Sequence, residues 1–197
     1  MSLLDALRAA TARPHERLHQ HQFMQELEGA GLNRPRYRTL LRAFLHPWQR
    51  LERHLEDAAH AGPWRALIQV RATDIEADLA ALGSPTRAGQ NPRVHMHDDA
   101  ALGAAYALVG SSMGAPSLRA AVVRAEPDAS TRFLGLSPRE AGWPALARYL
   151  RSTTTEDPAT VCDGARDVFQ SIHAALDSHP STRAREPRSA RHHRARS

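Results

Sequence analysis

Apolar residues in this chain recur every three or four positions and almost nowhere alternate. Tyr37, Leu40, Leu41, Phe44, Trp48, Leu51 and Leu55 trace one face of a single long helix. Pro35 suits its first turn, and Pro47 inside the pattern is expected to kink it. Leu4, Leu7, Thr11, His15 and Leu18 make a second such stripe, opened by Ser2 and Asp5 as a capping pair. Leu67, Val70, Ile75, Leu79 and Leu82 lie in a third helical region from Trp64 to Leu82, which Gly83-Ser-Pro ends. Residues 84–97 read as loop, and 98–125 as one glycine-containing helix. A further helix starts at Ser137 and runs to about Arg151. The last opens at Asp157-Pro158, with Val161, Ala165, Val168, Phe169, Ile172 and Leu176 on one face. The expectation is an all-α, single-domain, multihelical fold of about six to eight helices.

The chain has 197 residues, enough for one core without staples. No apolar run is long enough to span a bilayer, and the N-terminus lacks the pattern of a secretory signal. Cys162 is the only cysteine, which excludes an intrachain disulfide. A cytoplasmic protein without a membrane partner is expected. All 26 basic residues are arginine. Residues 180–197 hold six of them against one acid, Glu186, so the net +5 of the chain resides there and residues 1–179 are neutral. The expected division is a helical domain over 1–179 and a disordered Arg-rich tail over 180–197. No specific nucleic-acid partner follows from such a charge distribution.

His15 is a polar group on a stripe otherwise aimed at the core, which costs free energy unless something pairs with it. The residues offer two readings: a core histidine bonded to a carbonyl, or a metal ligand. His15 and His19 stand four apart, a spacing that can bind zinc, with His21, His95, His97 and Asp98 as further donors on paper. His95-Met-His97-Asp-Asp reads equally as a loop entering a helix N-terminus, where Asp98 and Asp99 suit the dipole. Gly110 and Gly114 share a helix face, at about 1 kcal/mol each relative to alanine. Either a flat ligand or close helix packing would account for them.

The segment Arg8-Ala-Ala-Thr11-Ala-Arg-Pro-His15 resembles the opening helix of heme oxygenases. Gly103-Ala-Ala-Tyr106-Ala-Leu-Val-Gly110-Ser111-Ser-Met-Gly114 resembles their distal helix, in the bacterial form associated with bacteriophytochromes. The likeness continues through Phe133, Trp143, Arg148, Val168 and Phe169, and covers about residues 3–177. It implies a heme oxygenase-like fold that cleaves heme to biliverdin with release of carbon monoxide and ferrous iron. Heme would be both substrate and cofactor. By this resemblance His15 is the iron ligand, and Arg8, Thr11, Tyr106 and Arg148 join it in holding heme, with the propionates met by Arg8, Tyr106 and Arg148. Gly110, Ser111 and Gly114 form the distal catalytic face, Ser111 beside a water network. Dioxygen and an external ferredoxin- or flavoprotein-type electron donor are implied, since the sequence shows no flavin or nicotinamide motif. A bacteriophytochrome is the implied biliverdin acceptor.

Four positions depart from the family pattern. His19 replaces the carboxylate that accepts the ligand's other proton, Val109 replaces an acid, and Ala115-Pro116 replaces a second glycine. Pro116 is expected to leave the Ser112 carbonyl without its helical partner, free to anchor a water. These departures favour, as the alternative, a non-catalytic heme-binding or heme-handling protein of the same fold. A thiaminase-like hydrolase would need a nucleophilic cysteine in a central pocket, and Cys162 lies near the start of the last helix.

Overall fold

The computed structural model describes residues 1–28, 32–56, 62–86 and 96–178. Nine α-helices and no strand occur among them. They are α1 (Leu3–Gln20), α2 (Gln22–Glu28), α3 (Arg34–Glu56), α4 (Ala72–Ala81), α5 (Asp98–Gly110), α6 (Ala115–Ala125), α7 (Arg132–Gly135), α8 (Trp143–Ser152) and α9 (Pro158–Asp177). The proposed tail and His95 lie outside the described residues.

The long stripes form as their periodicity predicts. Ser2 and Asp5 close a reciprocal capping box on α1. The apolar residues of α3 are all buried, and the helix runs through Pro47 without interruption. Asp157 caps α9 by accepting from the Thr160 amide. The shorter elements differ from expectation. His21 is extended (φ −61°, ψ 129°) and separates α2 from α1. Trp64 belongs to a 3-10 turn, Pro63–Leu67, and α4 begins only at Ala72. The stretch 98–125 breaks at a 3-10 turn over Ser111–Met113. Pro116 therefore falls in the first turn of α6, where a missing N–H breaks no helical bond. The predicted helix from Ser137 is instead a turn bound by Ser137 and Glu140, and α8 starts at Trp143. Nine helices among the described residues, three of them long, replace the expected six to eight.

Helix α9 is the spine. It packs on α1, α3 and α5. Its partners on α1 ascend with it: Arg166 reaches the Ala10 carbonyl, Phe169 meets His15, and Asp177 bonds His21. Against α5 the order reverses, with Gly164 on Ala100 and Gly103 on Val161 and Ala165. Glycine is required at both crossing points. A methyl at Gly103 would overlap the Val161 carbonyl oxygen and stand 2.9 Å from the Ala165 nitrogen. One at Gly164 would overlap the Ala100 carbonyl oxygen and lie 2.7 Å from its carbon.

A buried carboxylate ties the opposite side. Asp78 of α4 is fully buried and accepts from Tyr37 Oη (3.1 Å), Ser130 Oγ (2.6 Å) and the amides of Arg132 and Phe133 (both 3.0 Å). Burial, and then the adjacent Asp78 charge, raise the Tyr37 hydroxyl pKa, so it stays a donor. Four donors compensate a charge that burial alone would make prohibitive. Arg71, also buried, donates to the Arg132 and Phe133 carbonyls at 2.7 Å each. The entry to α7 is thus fixed by paired donors and acceptors rather than by its four residues of helix.

Candidate functional site

Helix α1 leaves the core as it ascends. Leu4, Leu7 and Thr11 are buried, Leu18 is half-buried, and His15 is exposed. The reading of His15 as a side chain aimed at the core is therefore corrected: its ring stands at the surface of the bundle. Its neighbours are the His19 ring, 4.5 Å between centroids, and the edge of Phe169 on α9, at 5.9 Å. Partial burial, and then the proximity of His19, push the His15 pKa below the ordinary histidine value. A neutral imidazole with an available lone pair results, the form a metal ligand requires.

Thr11, one turn earlier, donates to the Leu7 carbonyl at 2.8 Å. Its hydroxyl lies 3.4 Å from that of Tyr106 on α5. The Tyr106 ring in turn meets Trp143, 5.7 Å between centroids. Trp143 opens α8 and is aimed by Gly142, whose φ of 91° suits only glycine and whose Cα faces the Leu67 carbonyl. Arg8 and Arg148 are exposed on α1 and α8.

The two glycines on which the flat-ligand reading rests behave differently. The indole of Trp143 covers Gly110, where an added Cβ would meet ring carbon Cζ3 at 3.3 Å. Gly114 is open, with only the Ser111 carbonyl oxygen at 3.8 Å. Close helix packing, the other account of such glycines, is realised at Gly103 instead. Ser111 Oγ donates to the Leu108 carbonyl at 2.6 Å. The structure thus joins Thr11 to Tyr106, and His15 to Phe169, and sets Gly110 under Trp143. The residues fit heme on the His15 side, where a neutral imidazole stands beside an aromatic edge. On the distal side Gly114, not Gly110, leaves a face free for a flat ring.

Behind α5 lies a cavity of about 30 Å³ lined by Phe44, Trp48, Leu108, Ser112 and Phe133 among others. Trp48 Nε1 and Ser112 Oγ are buried without a hydrogen-bond partner. The Ser112 carbonyl, to which the sequence pointed, accepts from the Gly114 N–H, and it is the Ser112 hydroxyl that has no partner among the described residues. Of the further donors for zinc at His15 and His19, His95 lies outside the described residues and the other three are engaged elsewhere, His21 with Asp177. His97 caps α5, accepting weakly from the Asp99 amide, and Asp98 binds His54 (3.1 Å) and the Gly62 amide (3.0 Å). Cys162 is buried, and burial raises its pKa, which keeps the thiol protonated and inert.

The family model for heme oxygenase matches residues 1–108, which include α1 and most of α5. The chain belongs to the heme oxygenase family. Among solved structures, it is similar to the heme oxygenase from Neisseria meningitidis, studied with NO and CO bound. That match has a TM-score of 0.69 and 20% identity, over 90% of this chain and 92% of the other. Heme oxygenase-1 from the cyanobacterium Synechocystis, solved with heme, matches with a TM-score of 0.68 and 15% identity, again over 90% and 92%. No curated protein sequence matches the chain. The all-α heme oxygenase fold is therefore established for this chain. None of its described helices is long and apolar enough to cross a membrane.

Sequence reasoning missed Trp143 and Phe169 as ring contacts of the site. Both are half-buried, and each brings its ring against a residue of α1 or α5. The weak signal available was Gly142, a glycine immediately before a helix-opening tryptophan.

Proposed function

We propose that this chain is a heme oxygenase, with His15 as the axial ligand of the heme iron. The observation that carries the proposal is His15 itself: an imidazole at the surface of the bundle against His19 and Phe169, its pKa lowered by desolvation and then by His19, within the segment that matches the family. When bound, heme supplies the iron that activates dioxygen and the ring that is opened. The chain supplies orientation and exclusion.

His15 offers one ring nitrogen to the metal. The His19 ring, its centroid 4.5 Å from that of His15, replaces the carboxylate of the family pattern, and an imidazole would accept the remaining ring proton less strongly than an anion. The Phe169 ring, 5.9 Å from that of His15 between centroids, would hold the imidazole in its orientation. Arg8 and Arg148, exposed on α1 and α8, would neutralise the propionates, for which planar guanidinium donors are suited. The Tyr106 hydroxyl, whose proton faces Thr11 because Thr11 donates to Leu7, would have to turn that proton toward a propionate. Gly114 lets the backbone approach the opposite face without a side chain. Ser111 holds its proton on the Leu108 carbonyl, so its oxygen is an acceptor toward that face. Electrons come from an external ferredoxin- or flavoprotein-type donor. The bacterial pattern from Tyr106 to Gly114 supports a bacteriophytochrome as acceptor of the product.

Hemin added to the protein, then ascorbate in air with catalase present, tests the reading. A Soret band that decays as a broad red band grows is expected. His15→Ala should lose the coordinated spectrum; full turnover by that variant overturns the ligand assignment. A second reading, a non-catalytic heme binder, is favoured by Trp143 over Gly110, which narrows the distal face. It predicts a Soret band that ascorbate leaves intact.

A further inference from the structure

The structure takes His21 away from His15 and His19 and joins it to residues far along the chain. His21 Nε2 lies 3.0 Å from Asp177 Oδ1, and His173 Nδ1 lies 3.0 Å from Asp177 Oδ2. The two imidazoles are perpendicular, with centroids 4.9 Å apart. One donor atom from each of the three residues falls within 4.8 Å of the others. His173 and Asp177 are four apart on α9 and share a face, while His21 comes from the extended joint between α1 and α2.

We propose that His21, His173 and Asp177 form a site for a divalent cation of the zinc class, distinct from the heme face. Two imidazoles and a carboxylate are borderline donors, which suit Zn²⁺ and disfavour Mg²⁺ and Ca²⁺, ions that take oxygen ligands. Three protein ligands leave a fourth tetrahedral position for water. Ligands held ~2.0 Å from a tetrahedral ion stand ~3.3 Å apart. The two N···O separations of 3.0 Å, one to each oxygen of Asp177, are close to that spacing, and with one donor atom per residue the set spans no more than 4.8 Å, so a small side-chain adjustment closes it. Protons now bridge the carboxylate to both rings, and the cation takes their place. The His21 side chain is 13% exposed and His173 36%, so one ligand is fixed by packing and the other two lie open to entry. The bound ion clips the C-terminal end of α9 to the α1–α2 joint. It thereby holds the part of α9 that begins at Phe169, whose ring meets His15.

One contact makes the proposal specific. His21 Nδ1 accepts the Phe23 amide proton at 3.1 Å, so the neutral ring carries its own proton on Nε2. With a cation at Nε2, that proton moves to Nδ1 and the Phe23 amide loses its acceptor. The Phe23 amide is therefore a local reporter of occupancy.

The test is a Zn²⁺ titration by calorimetry, with Co²⁺ as a visible reporter, on the heme-free full-length chain. His179, His192 and His193 are replaced by alanine in that background to remove other donors. One site per chain is expected, with a shift of the Phe23 amide resonance on filling. His173→Ala and Asp177→Asn each weaken binding at least tenfold, and His15→Ala/His19→Ala leaves it unchanged. Both weakening substitutions are at accessible positions, and a thermal melt of each without metal checks its fold. No one-to-one binding overturns the proposal. So does binding that survives His173→Ala and Asp177→Asn, or that is lost with His15 and His19. Because heme is absent throughout, failure here leaves the His15 assignment standing.

Discussion

Gly103→Ala tests the seam on which the site is built. In a free helix this change stabilises by about 1 kcal/mol, because glycine is the poorer helix former. Here the new methyl would overlap the Val161 carbonyl oxygen and stand 2.9 Å from the Ala165 nitrogen and the Val161 carbon. Comfortable contact needs ~3.5–4.0 Å, so α5 and α9 must part by roughly 1 Å or more. Main chain cannot swing aside as a side-chain terminus can, which puts the cost near the upper end of overpacking, about 3 kcal/mol. The net loss is then about 2 kcal/mol, or a fall in Tm of roughly 4–8 °C for a domain of this size. Gly114→Ala is the control. Its φ of −88° is ordinary for alanine, and the nearest atom to the added methyl is 3.8 Å away. That variant should be as stable as the parent or gain about 0.4–1 kcal/mol. Its heme affinity should nonetheless fall if Gly114 meets the ring. Urea unfolding and hemin titration of both variants read the two effects separately. A Gly103→Ala protein that melts at or above the parent temperature refutes the packing argument. A Gly114→Ala protein with unchanged heme affinity removes that glycine from the site.

Asp78→Ala should cost about 3–5 kcal/mol in urea unfolding, since it strands four donors at once, two of them in fully buried bonds; a loss below about 1 kcal/mol would show that these donors find other acceptors. Ser112→Ala removes a buried hydroxyl without a partner and should be neutral or stabilising by up to about 1 kcal/mol; measurable destabilisation would mean the hydroxyl is satisfied in solution. His15 in the heme-free protein should titrate below the ordinary histidine value of 6.5, seen by NMR of its ring protons. The unfolded chain then takes up the proton first as the pH falls. This residue's contribution is therefore complete above about 6.5, declines through the lower folded pKa, and is constant beneath it. A midpoint at or above 6.5 would contradict the burial argument.

Long helices were legible because their stripes are long. The burial of Tyr37, Leu40, Leu41, Phe44, Trp48, Leu51 and Leu55 in α3 is what a 3.6-residue period requires. The breaks were not. Nothing in the composition around His21 or Ser111 forbids helix, and tertiary contacts decide that the chain turns there. The same limit applies to the glycines. Gly103, Gly110 and Gly114 look alike in sequence, yet only the position of α9 makes the first intolerant of a methyl. His15 was identifiable as special, but its exposure depends on where α1 parts from the bundle. Asp78 and the His21–His173–Asp177 cluster were out of reach, because their partners lie 41 to 156 residues away.

The position of α9 also sets a timetable for the nascent chain. The helix that shields α1, seats α5 and carries Phe169 is the last described helix to leave the ribosome. Its contacts with α1 close loops of 156 residues. At ~5–20 residues per second, roughly 10–30 s pass between synthesis of His15 and arrival of the helix that flanks it. Throughout that interval the inner face of α1, with Leu4 and Leu7, waits without its cover. The surface around His15 is therefore assembled as a late event of synthesis, and α1 spends the interval as a client for whatever holds exposed apolar helices in solution.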